Sequence, residues 1–364
     1  MKITIVGAGN AGCAYAFKLS QKGLNVTLLK TTFSINDENF ETIRNNKGIW
    51  GIDNTSDRKK IFVSLDLVTR NIEEALIDSE IVIVMVQSLY HKNIADMIVP
   101  HLSSKIKLLL IIPGNLGSLY FREKIKSYNY LNVMPIIAEG ESTAIDARII
   151  EPGLVQILFK NVRNALGFIP SSKSRDGLII AKQLFSTYCS TRSNIVESAL
   201  HNPNLIVHTI GTILSASRIE IAQGEFWMYK EAFSPSIWNV INALDYEKNE
   251  IIKAYNGNSM SYLDAAHWRN YEDLSVNSKE SFDNYAKKGG PKGPNSINTR
   301  YLNEDVPNGL VLLEKLGNLV GIETPTASSL ITIASVLLDK NFRNLGRNFK
   351  ELGFSTSEQL KAIL

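Results

Sequence analysis

The chain has 364 residues, of which 44% are hydrophobic and 21% are charged, and its formal net charge at pH 7 is +3. This length exceeds that of a usual single domain, so two domains are expected. The small net charge and the scattered lysines and arginines argue against a nucleic-acid partner. The two cysteines, Cys13 and Cys189, are too few for a disulfide framework or a zinc site, and no metal is expected.

The longest apolar runs, at residues 81–86, 108–112 and 330–338, are too short to span a membrane. No charged leader precedes an apolar segment, and the first predicted strand begins at residue 2. The sequence therefore predicts a cytoplasmic protein without a membrane partner.

The first 22 residues carry the strongest local signal. The β-branched run Ile3–Val6 predicts a strand buried on both faces, and a helix is predicted after it, ending near Gly23. The intervening residues match G-x-G-x-x-G, in which the glycines permit a tight turn, close approach of a pyrophosphate and close helix packing. We therefore expect a dinucleotide site formed by Gly7, Gly9, Asn10, Ala11 and Gly12. The alternative is a glycine-rich turn of another α/β protein.

The residues after the second predicted strand, Asn25–Leu29, bear on the choice of coenzyme. An acidic residue at this position binds the adenosine ribose of NAD, whereas a cation or hydroxyls suit the 2′-phosphate of NADP. Lys30 and Thr31 stand here, and the first acidic residue is Asp37. The sequence therefore favours NADPH over NADH. The alternative is that Lys30 is solvated and that the coenzyme is selected elsewhere.

Further strands are predicted over Ile61–Leu65, Ile81–Val86 and Lys107–Ile112, and they alternate with helices. This alternation predicts a parallel, doubly wound sheet. Such sheets bind ligands at the carboxyl ends of their strands, where Gln87 and the turn containing Asn115 are expected. Both residues are therefore candidates for the coenzyme site.

Short strands at residues 135–138, 155–159 and 165–169 predict an antiparallel extension of the same sheet. Arg148 and Glu139–Glu141 lie at its polar edges and are candidates to line a cleft. The predicted fold is thus an N-terminal Rossmann domain with an antiparallel extension, residues 1–187, followed by an all-helical domain, residues 188–364. A last short strand is expected at Asn194–Val196.

Helical patterns dominate from about residue 176. A long apolar helix is predicted over Asn204–Glu225, and it carries Asn204 and His208 on one face because they are four residues apart. A lone histidine in an apolar helix is also compatible with core packing. His201, just before this helix, is expected to be exposed.

Residues 256–298 are rich in Asn, Ser, Gly and Lys and predict a long loop, of the kind that forms lids or binding loops. The loop leads into Arg300–Pro307, which brings a guanidinium and two carboxylates into six residues. Two apolar helices are predicted after this cluster.

In these blocks the chain resembles the opine dehydrogenases, the octopine/nopaline dehydrogenase family. The resemblance rests on the glycine fingerprint, on Asn204-x-x-x-His208, and on Arg300–Pro307 with Gly321–Pro325 downstream. Further matches are Pro113-Gly114-Asn115 and Arg148 before Pro152-Gly153. One departure is Thr209, because family members often have proline directly after the histidine.

This resemblance implies a reductive condensation of an amino acid with a 2-oxo acid, either pyruvate or 2-oxoglutarate. The two form an imine, and NAD(P)H reduces it to an N-(carboxyalkyl) amino acid. The resemblance implies that His208 transfers protons and that Asp305 orients it, a role that suits an imidazole near neutral pH. Arg300 is then a clamp for a substrate carboxylate, and Asn204 and Glu141 complete the expected substrate site.

Two other functions remain open at this stage. One is a two-domain reductase of the ketopantoate reductase type, which reduces a carbonyl without an amine and commonly relies on a lysine in its second domain. The other is a non-catalytic NADP-sensing protein. The sequence leaves the amino acid, the oxo acid and the product stereochemistry open, and a homodimer is compatible with the apolar C-terminal helices.

Overall fold

The computed structural model describes residues 1–33, 37–128 and 134–364. The chain forms two compact units, Met1–Thr191 and Arg192–Leu364. Sequence analysis begins the second domain at residue 188, slightly too early. The difference arises because Tyr188–Thr191 form the last strand of the first unit's main sheet.

The first unit combines strands and helices. Its described strands are β1 (Lys2–Val6), β2 (Asn25–Leu29), β3 (Gly48–Asp53), β4 (Lys60–Ser64), β5 (Leu67–Thr69), β6 (Ile81–Val84), β7 (Leu108–Ile111), β8 (Ile136–Gly140), β9 (Ile145–Glu151), β10 (Leu154–Lys160), β11 (Asn164–Ile169) and β12 (Tyr188–Thr191). Its described helices are α1 (Asn10–Gln21), α2 (Asp37–Asn46), α3 (Ile72–Leu76), α4 (His91–Ile98), α5 (Ser118–Ser127) and α6 (Ser174–Leu184). Short 3₁₀ turns are formed by Ser88–Tyr90, Val99–His101 and Ser171–Lys173.

The main sheet has the strand order β12-β11-β8-β7-β6-β1-β2-β5. The six strands from β5 to β8 in this order are parallel, β11 is antiparallel to β8, and β12 is parallel to β11. The predicted fold class is confirmed. The chain runs from β1 toward one edge through β2 and β5, and returns through β6 toward the other edge. This reversal opens a crevice between the carboxyl ends of β1 and β6, where doubly wound sheets bind ligands.

A second sheet of four strands, in the order β4-β3-β10-β9, was not predicted. The prediction that residues 155–159 extend the main sheet is wrong, because they lie in β10 of this second sheet. β8 belongs to the main sheet as expected, but it is parallel to β7. Pairing between strands distant in the chain decides which sheet a strand joins, and a local pattern does not contain that information.

Helix α1 is packed between the two sheets, and the glycine turn lies at its N-terminus. A Cβ on Gly51 of β3 would lie 2.4 Å from the Phe17 ring, so the glycine allows the second sheet to approach α1 closely. On the other side, the Tyr15 hydroxyl is 2.8 Å from the Tyr188 hydroxyl and accepts the Ala144 N–H at 2.7 Å. The helix that carries the glycine turn is therefore held from both sides.

The second unit is helical. Its described helices are α7 (Ile195–Leu200), α8 (Asn204–Ile213), α9 (Ala216–Ala222), α10 (Met228–Glu231), α11 (Pro235–Ala254), α12 (Tyr262–Asn270), α13 (Ser278–Lys287), α14 (Arg300–Asn303), α15 (Val311–Val320), α16 (Pro325–Leu338), α17 (Phe342–Leu345) and α18 (Ser357–Ile363). A π-helical turn, Val306–Leu310, precedes α15.

Two helices, α12 and α13, occupy the segment predicted as a long loop. Each begins with a side-chain cap: the Ser261 hydroxyl accepts the Asp264 N–H, and the Asn277 side chain accepts the Glu280 N–H. The longest irregular stretch that remains is residues 288–299. Within it the Gly293 N–H donates to the Phe226 carbonyl at 2.8 Å, which ties this remainder to the helical unit.

Two other predictions in this unit were wrong. The helix expected over residues 204–225 is broken, because α9 departs by 71° from the direction of the preceding helical segment. Asn194, expected to begin a strand, is instead the N-cap of α7 and accepts the Glu197 N–H at 2.9 Å. An apolar stripe that continues through a bend looks the same in sequence as one straight helix.

Within the described ranges, no single helix has both the length and the apolar character that crossing a membrane requires. One bent pair, Ile195–Ile213 with Ala216–Ala222, meets those criteria only when its two parts are taken together.

Candidate active site

The glycine turn after β1 has the geometry that its sequence predicts. Gly7 has a φ of +119°, and a Cβ there would lie 2.5 Å from the Met85 carbonyl oxygen. A Cβ on Gly12 would lie 1.8 Å from the Gly7 carbonyl oxygen, so only glycine lets α1 start this close to β1. A Cβ on Gly9 would meet nothing within 4 Å, so the space in front of this residue is open.

This open space fits a dinucleotide pyrophosphate. Gly9 is the N-cap of α1, and no side chain of the described residues caps the first N–H groups of this helix. Uncapped N–H groups at a helix N-terminus bind anions. Asn10 contributes differently from expectation, because its side-chain oxygen accepts the Ile149 N–H at 2.8 Å and so joins β9 to the turn. Ala11 lies in the first turn of α1, and Gln87 is exposed just beyond β6.

Lys30 is already engaged in an ion pair. Its Nζ lies 2.5 Å from Asp37 Oδ1 and donates to the Thr32 carbonyl at 2.8 Å. Arg70, which follows β5, also donates to Asp37 Oδ1, at 2.8 Å, and its guanidinium lies 4.5 Å from the centre of the Phe33 ring. Hydrogen bonds from Lys30 and Arg70 hold the pKa of Asp37 below its ordinary value. The carboxylate is therefore ionised at neutral pH and shared by two cations.

The expectation that Lys30 is open to the 2′-phosphate of NADPH is therefore corrected by its ion pair. Sequence reasoning treated Lys30 as a cation open to a 2′-phosphate, but only 5% of its side chain is exposed and Asp37 occupies its ammonium. Thr31, the other expected residue, is half-buried. Arg70, which sequence reasoning missed, is the second cation at this edge. The signal was its place directly after β5, the strand next to β2 in the sheet.

Glu139 stabilises the turn that contains Asn115. Asn115 and Leu116 have φ values of 50° and 59°, a left-handed conformation that costs free energy in residues other than glycine. The buried Glu139 carboxylate accepts the N–H groups of Leu116 at 3.0 Å and Ser118 at 2.9 Å. Sequence reasoning placed Glu139 at a polar edge, whereas it supports the turn.

The other polar residues expected at this edge are placed differently from one another. Glu141 is buried directly after β8, with 1% of its surface exposed. Arg148 is exposed on β9, and its guanidinium pairs with Asp146 at 2.9 Å. Arg148 is therefore engaged in a surface ion pair, which contributes little to stability.

His208 and Asp305 lie in contact within the helical unit, although they are 97 positions apart in the chain. Nδ1 of His208 lies 2.7 Å from Asp305 Oδ2. A carboxylate accepts hydrogen bonds, so Nδ1 carries the hydrogen, and in the neutral imidazole the lone pair is then on Nε2. The exposed fractions of the two side chains are 14% and 4%. The Asp305 carboxylate is thus almost inaccessible to solvent and points at the imidazole, an arrangement in which a charge-assisted hydrogen bond is strong.

The local structure accounts for this meeting. α8 is a continuous helix through Thr209, the residue after the histidine, whose hydroxyl donates to the Leu205 carbonyl. Asp305 stands immediately before the π-helical turn, in which Pro307 has no N–H to donate. π-helical turns are common at functional sites, where they redirect a side chain.

Tyr301 contacts the imidazole, Arg300 precedes Tyr301 in α14, and Asn204 precedes His208 in α8. The Tyr301 ring lies parallel to the imidazole, with the ring centres 3.6 Å apart and an interplanar angle of 5°. The Arg300 side chain is 53% exposed, and its Nε lies 3.8 Å from Glu304 Oε2. Asn204 lies one turn before His208 on the same face of α8. Tyr301 belongs to the Arg300–Pro307 motif, but the sequence did not predict a role for it.

His201 is buried, with 3% of its surface exposed, so the prediction that it is exposed is wrong. Its Nε2 lies 3.3 Å from the Asn258 carbonyl oxygen. Burial, reinforced by the positive charges of Arg192 and Lys248, holds the pKa of His201 well below its ordinary value. The imidazole is therefore neutral at physiological pH.

Comparison with protein families supports a division between the two halves of the chain. Residues 191–338 match the family described as NAD/NADP octopine/nopaline dehydrogenase, alpha-helical domain. Residues 3–126 match the family described as ketopantoate reductase PanE/ApbA. The second match covers the coenzyme-binding half, and the first covers the half that contains the His208–Asp305 pair.

Comparisons over nearly the full chain also find opine dehydrogenases, as the family match of the helical half does. The opine dehydrogenase of Arthrobacter sp. (strain 1C) is 28% identical over 96% of this chain and 94% of its own length. Octopine dehydrogenase in complex with NADH and agmatine has the same fold, with a TM-score of 0.81 and 17% identity over 99% of this chain and 97% of that one. Yersinopine dehydrogenase with NADP⁺ bound has a TM-score of 0.74 and 14% identity, over 100% and 97% of the two chains. The chain is thus an NAD(P)-dependent oxidoreductase that is similar to opine dehydrogenases over its length, and its residues 191–338 match the α-helical domain of the octopine/nopaline dehydrogenases.

Proposed function

We propose that this enzyme condenses an amino acid with a 2-oxo acid and reduces the resulting imine to an N-(carboxyalkyl) amino acid. The observation that carries the proposal is the His208–Asp305 pair, held at 2.7 Å in the unit that matches the family's α-helical domain. NAD(P)H, when bound, supplies the hydride. Octopine dehydrogenase has been captured with L-arginine and with pyruvate, which supports these two substrate classes here.

His208 is proposed to move the protons of the condensation through Nε2, because Nδ1 is engaged by Asp305. The amino acid's ammonium group first loses a proton, the free amine attacks the carbonyl carbon of the oxo acid, and a second proton passes from nitrogen to oxygen to give the carbinolamine. The hydroxyl leaves as water when that oxygen receives the first proton, and the protonated imine remains. One imidazole near neutral pH can take the first proton and return it in the second step, a contribution of roughly 10²–10⁴-fold in rate. Asp305 stabilises the imidazolium that forms between the two steps.

The substrate carboxylates need cationic partners, and Arg300 is the proposed clamp. More than half of its side chain is exposed, and its ion pair with Glu304 is long, at 3.8 Å. A guanidinium in this condition retains donors for a bidentate bond to a carboxylate. Asn204, on the same face of α8 as His208, is the proposed hydrogen-bonding partner of the substrate. Glu141 stays a prediction for the substrate site.

We propose NADPH as the preferred reductant, with NADH accepted. Two cations, Lys30 and Arg70, converge after β2 and β5, where the adenosine ribose is expected. Asp37 competes with a 2′-phosphate for both of them. Replacing Arg70 by leucine should raise the KM for NADPH about tenfold more than the KM for NADH, the size of one charged hydrogen bond. An Arg175→Leu variant, at an exposed arginine of α6, is the control, and equal changes for both coenzymes would remove Arg70 from this role.

The proposed reaction is tested with a matrix of amino acids against 2-oxo acids, followed by NADPH and NADH absorbance and by mass spectrometry of the product. A secondary amine that contains both carbon skeletons is the expected result for at least one pair. His208→Ala should lower turnover at least about a hundredfold without weakening coenzyme binding. His101→Ala, at an exposed histidine of the first unit, is the control and should retain turnover.

A ketopantoate-type reduction is the second candidate, because residues 3–126 match that family. This reaction reduces the oxo acid without an amine. Omitting the amino acid from the assay separates the two reactions: coenzyme oxidation by the oxo acid alone, with a hydroxy acid as product, would favour the second candidate.

A further inference from the structure

The His208 imidazole is contacted by two side chains of one short segment. Asp305 bonds to Nδ1 at 2.7 Å, and the Tyr301 ring covers one face of the imidazole, with ring centres 3.6 Å apart. Tyr301 lies in α14, and both Glu304 and Asp305 continue the right-handed helical conformation. Residues four apart in such a conformation lie on the same side. A single turn of chain therefore presents both contacts to α8.

The two contacts restrain different motions of the imidazole. A hydrogen bond at Nδ1 fixes the position of that atom but permits the ring to rock about the bond. A parallel ring at 3.6 Å blocks this rocking, because any tilt brings ring atoms into overlap. The position of Nδ1 and the plane of the ring together determine the direction in which Nε2 points.

The stacking geometry is unusual for two neutral rings. Neutral aromatic pairs favour offset or edge-to-face arrangements because their ring faces repel one another. Here the interplanar angle is 5°, so the surrounding chain, rather than mutual attraction of neutral rings, holds the pair in this arrangement. The face of Tyr301 becomes attractive to the imidazole when it carries a proton. The arrangement is thus suited to a histidine that is protonated during turnover.

We propose that Tyr301 is a positioning residue, whose ring fixes the plane of the His208 imidazole and thereby aims Nε2 at the reacting atoms. This inference rests on the proposed function. The ring, and not the hydroxyl, performs the role, so phenylalanine should replace tyrosine and an aliphatic residue should not.

The kinetic test compares Tyr301→Leu, Tyr301→Phe and, as a control at an exposed tyrosine of α11, Tyr246→Leu. Tyr301→Leu should lower kcat by roughly tenfold to a hundredfold, the usual effect of a misaimed catalytic group, while the KM for the coenzyme stays within twofold. Tyr301→Phe should retain kcat within about twofold, as should Tyr246→Leu. Wild-type kcat in Tyr301→Leu would overturn the inference, and so would an equal loss in Tyr301→Phe, because the hydroxyl would then be responsible.

A second measurement does not depend on turnover. Nitrogen-15 spectra of the histidine side chains in the full-length protein, with His208 assigned from the His208→Ala variant, report the Nδ1–H tautomer directly. The wild type should show one tautomer with a sharp Nε2 signal, and Tyr301→Leu should show a broadened or averaged signal. An unchanged His208 signal in Tyr301→Leu would overturn the inference even if no substrate pair gives product. Failure of the substrate matrix alone would count against the proposed reaction and leave the spectral result to decide the role of Tyr301.

Discussion

Replacing Asp305 by asparagine tests the central pair with little change in packing. Asparagine keeps the size of the side chain and an acceptor oxygen, so the bond to Nδ1 persists as a neutral one. The wild-type bond is 2.7 Å long and its carboxylate is 4% exposed, so solvent screens it weakly. A charged hydrogen bond contributes about 1–1.5 kcal/mol more than a neutral one. At about 1.36 kcal/mol per factor of ten, Asp305→Asn should lower kcat roughly fivefold to tenfold.

The assay is a double-mutant cycle in kcat with saturating coenzyme and the best substrate pair. Four proteins are compared: the wild type, Asp305→Asn, His208→Ala and the double variant. Asp305 is proposed to act only through the imidazole, so its substitution should have no further effect once the imidazole is gone. The coupling free energy should therefore equal the whole effect of Asp305→Asn.

Two results would refute this reasoning. One is a pair of losses that simply multiply in the double variant, which would show that Asp305 acts on the substrate independently of His208. The other is an Asp305→Asn enzyme with wild-type kcat. Thermal unfolding of each variant serves as the control, because a fall in Tm shared by both Asp305 variants would signal damage to packing rather than to catalysis.

Three further predictions follow from the same structure. Gly12→Ala should destabilise the protein by about 1–3 kcal/mol or more, since its Cβ meets the Gly7 carbonyl at 1.8 Å, whereas Gly9→Ala should keep the Tm and weaken only coenzyme binding; calorimetry and coenzyme titration distinguish these outcomes. Arg300→Lys should raise the KM for the oxo acid or the amino acid because a bidentate bond is lost, and unchanged KM values for both would place the carboxylate clamp elsewhere. His201 has a lowered pKa when folded, so below about pH 6.5 only the unfolded chain takes up its proton, and stability falls by up to about 1.4 kcal/mol per pH unit as the pH drops. In urea unfolding between pH 5 and 7, the free energy of unfolding should change less steeply with pH for His201→Gln than for the wild type. Identical pH dependences would contradict the buried, neutral imidazole.

The first half of the chain was largely predictable because its signals are local. The strand–glycine–helix unit and the continuous apolar runs of β6 and β7 determine a parallel sheet almost without reference to the rest of the chain. The second sheet escaped prediction because its pairing is distant in the chain: β3 and β10 are joined in register across about a hundred residues. A local sequence pattern predicts a strand, but it does not identify the strand with which it pairs.

The missed helices show a signal that sequence reasoning had available. Ser261 precedes Asp264 by three residues, and Asn277 precedes Glu280 by three, which are the spacings of helix N-caps with an acidic residue in the first turn. Composition outweighed this spacing, because a segment rich in Asn, Ser and Gly is typical of a loop. Both helices are short: α12 has a weak hydrophobic periodicity, and α13 is mostly polar.

In the candidate site, the positions of cations in the sequence do not tell which of them is available to bind a ligand. Lys30 and Arg300 were both chosen as cations that would meet an anion of a ligand, and the sequence treats them alike. The structure separates them by the state of their partners: Lys30 is 5% exposed and 2.5 Å from Asp37, while Arg300 is 53% exposed and 3.8 Å from Glu304. A buried, short ion pair must be broken before the cation can bind a ligand, and that loss offsets the new bond. Arg300 and Glu304 are 3.8 Å apart, beyond hydrogen-bond distance, so Arg300 can bind a ligand without losing a hydrogen bond to Glu304, whose own side chain is 4% exposed. Arg300 is therefore the stronger candidate for binding a ligand carboxylate, and any selectivity for a 2′-phosphate depends on how readily Asp37 releases its two cations.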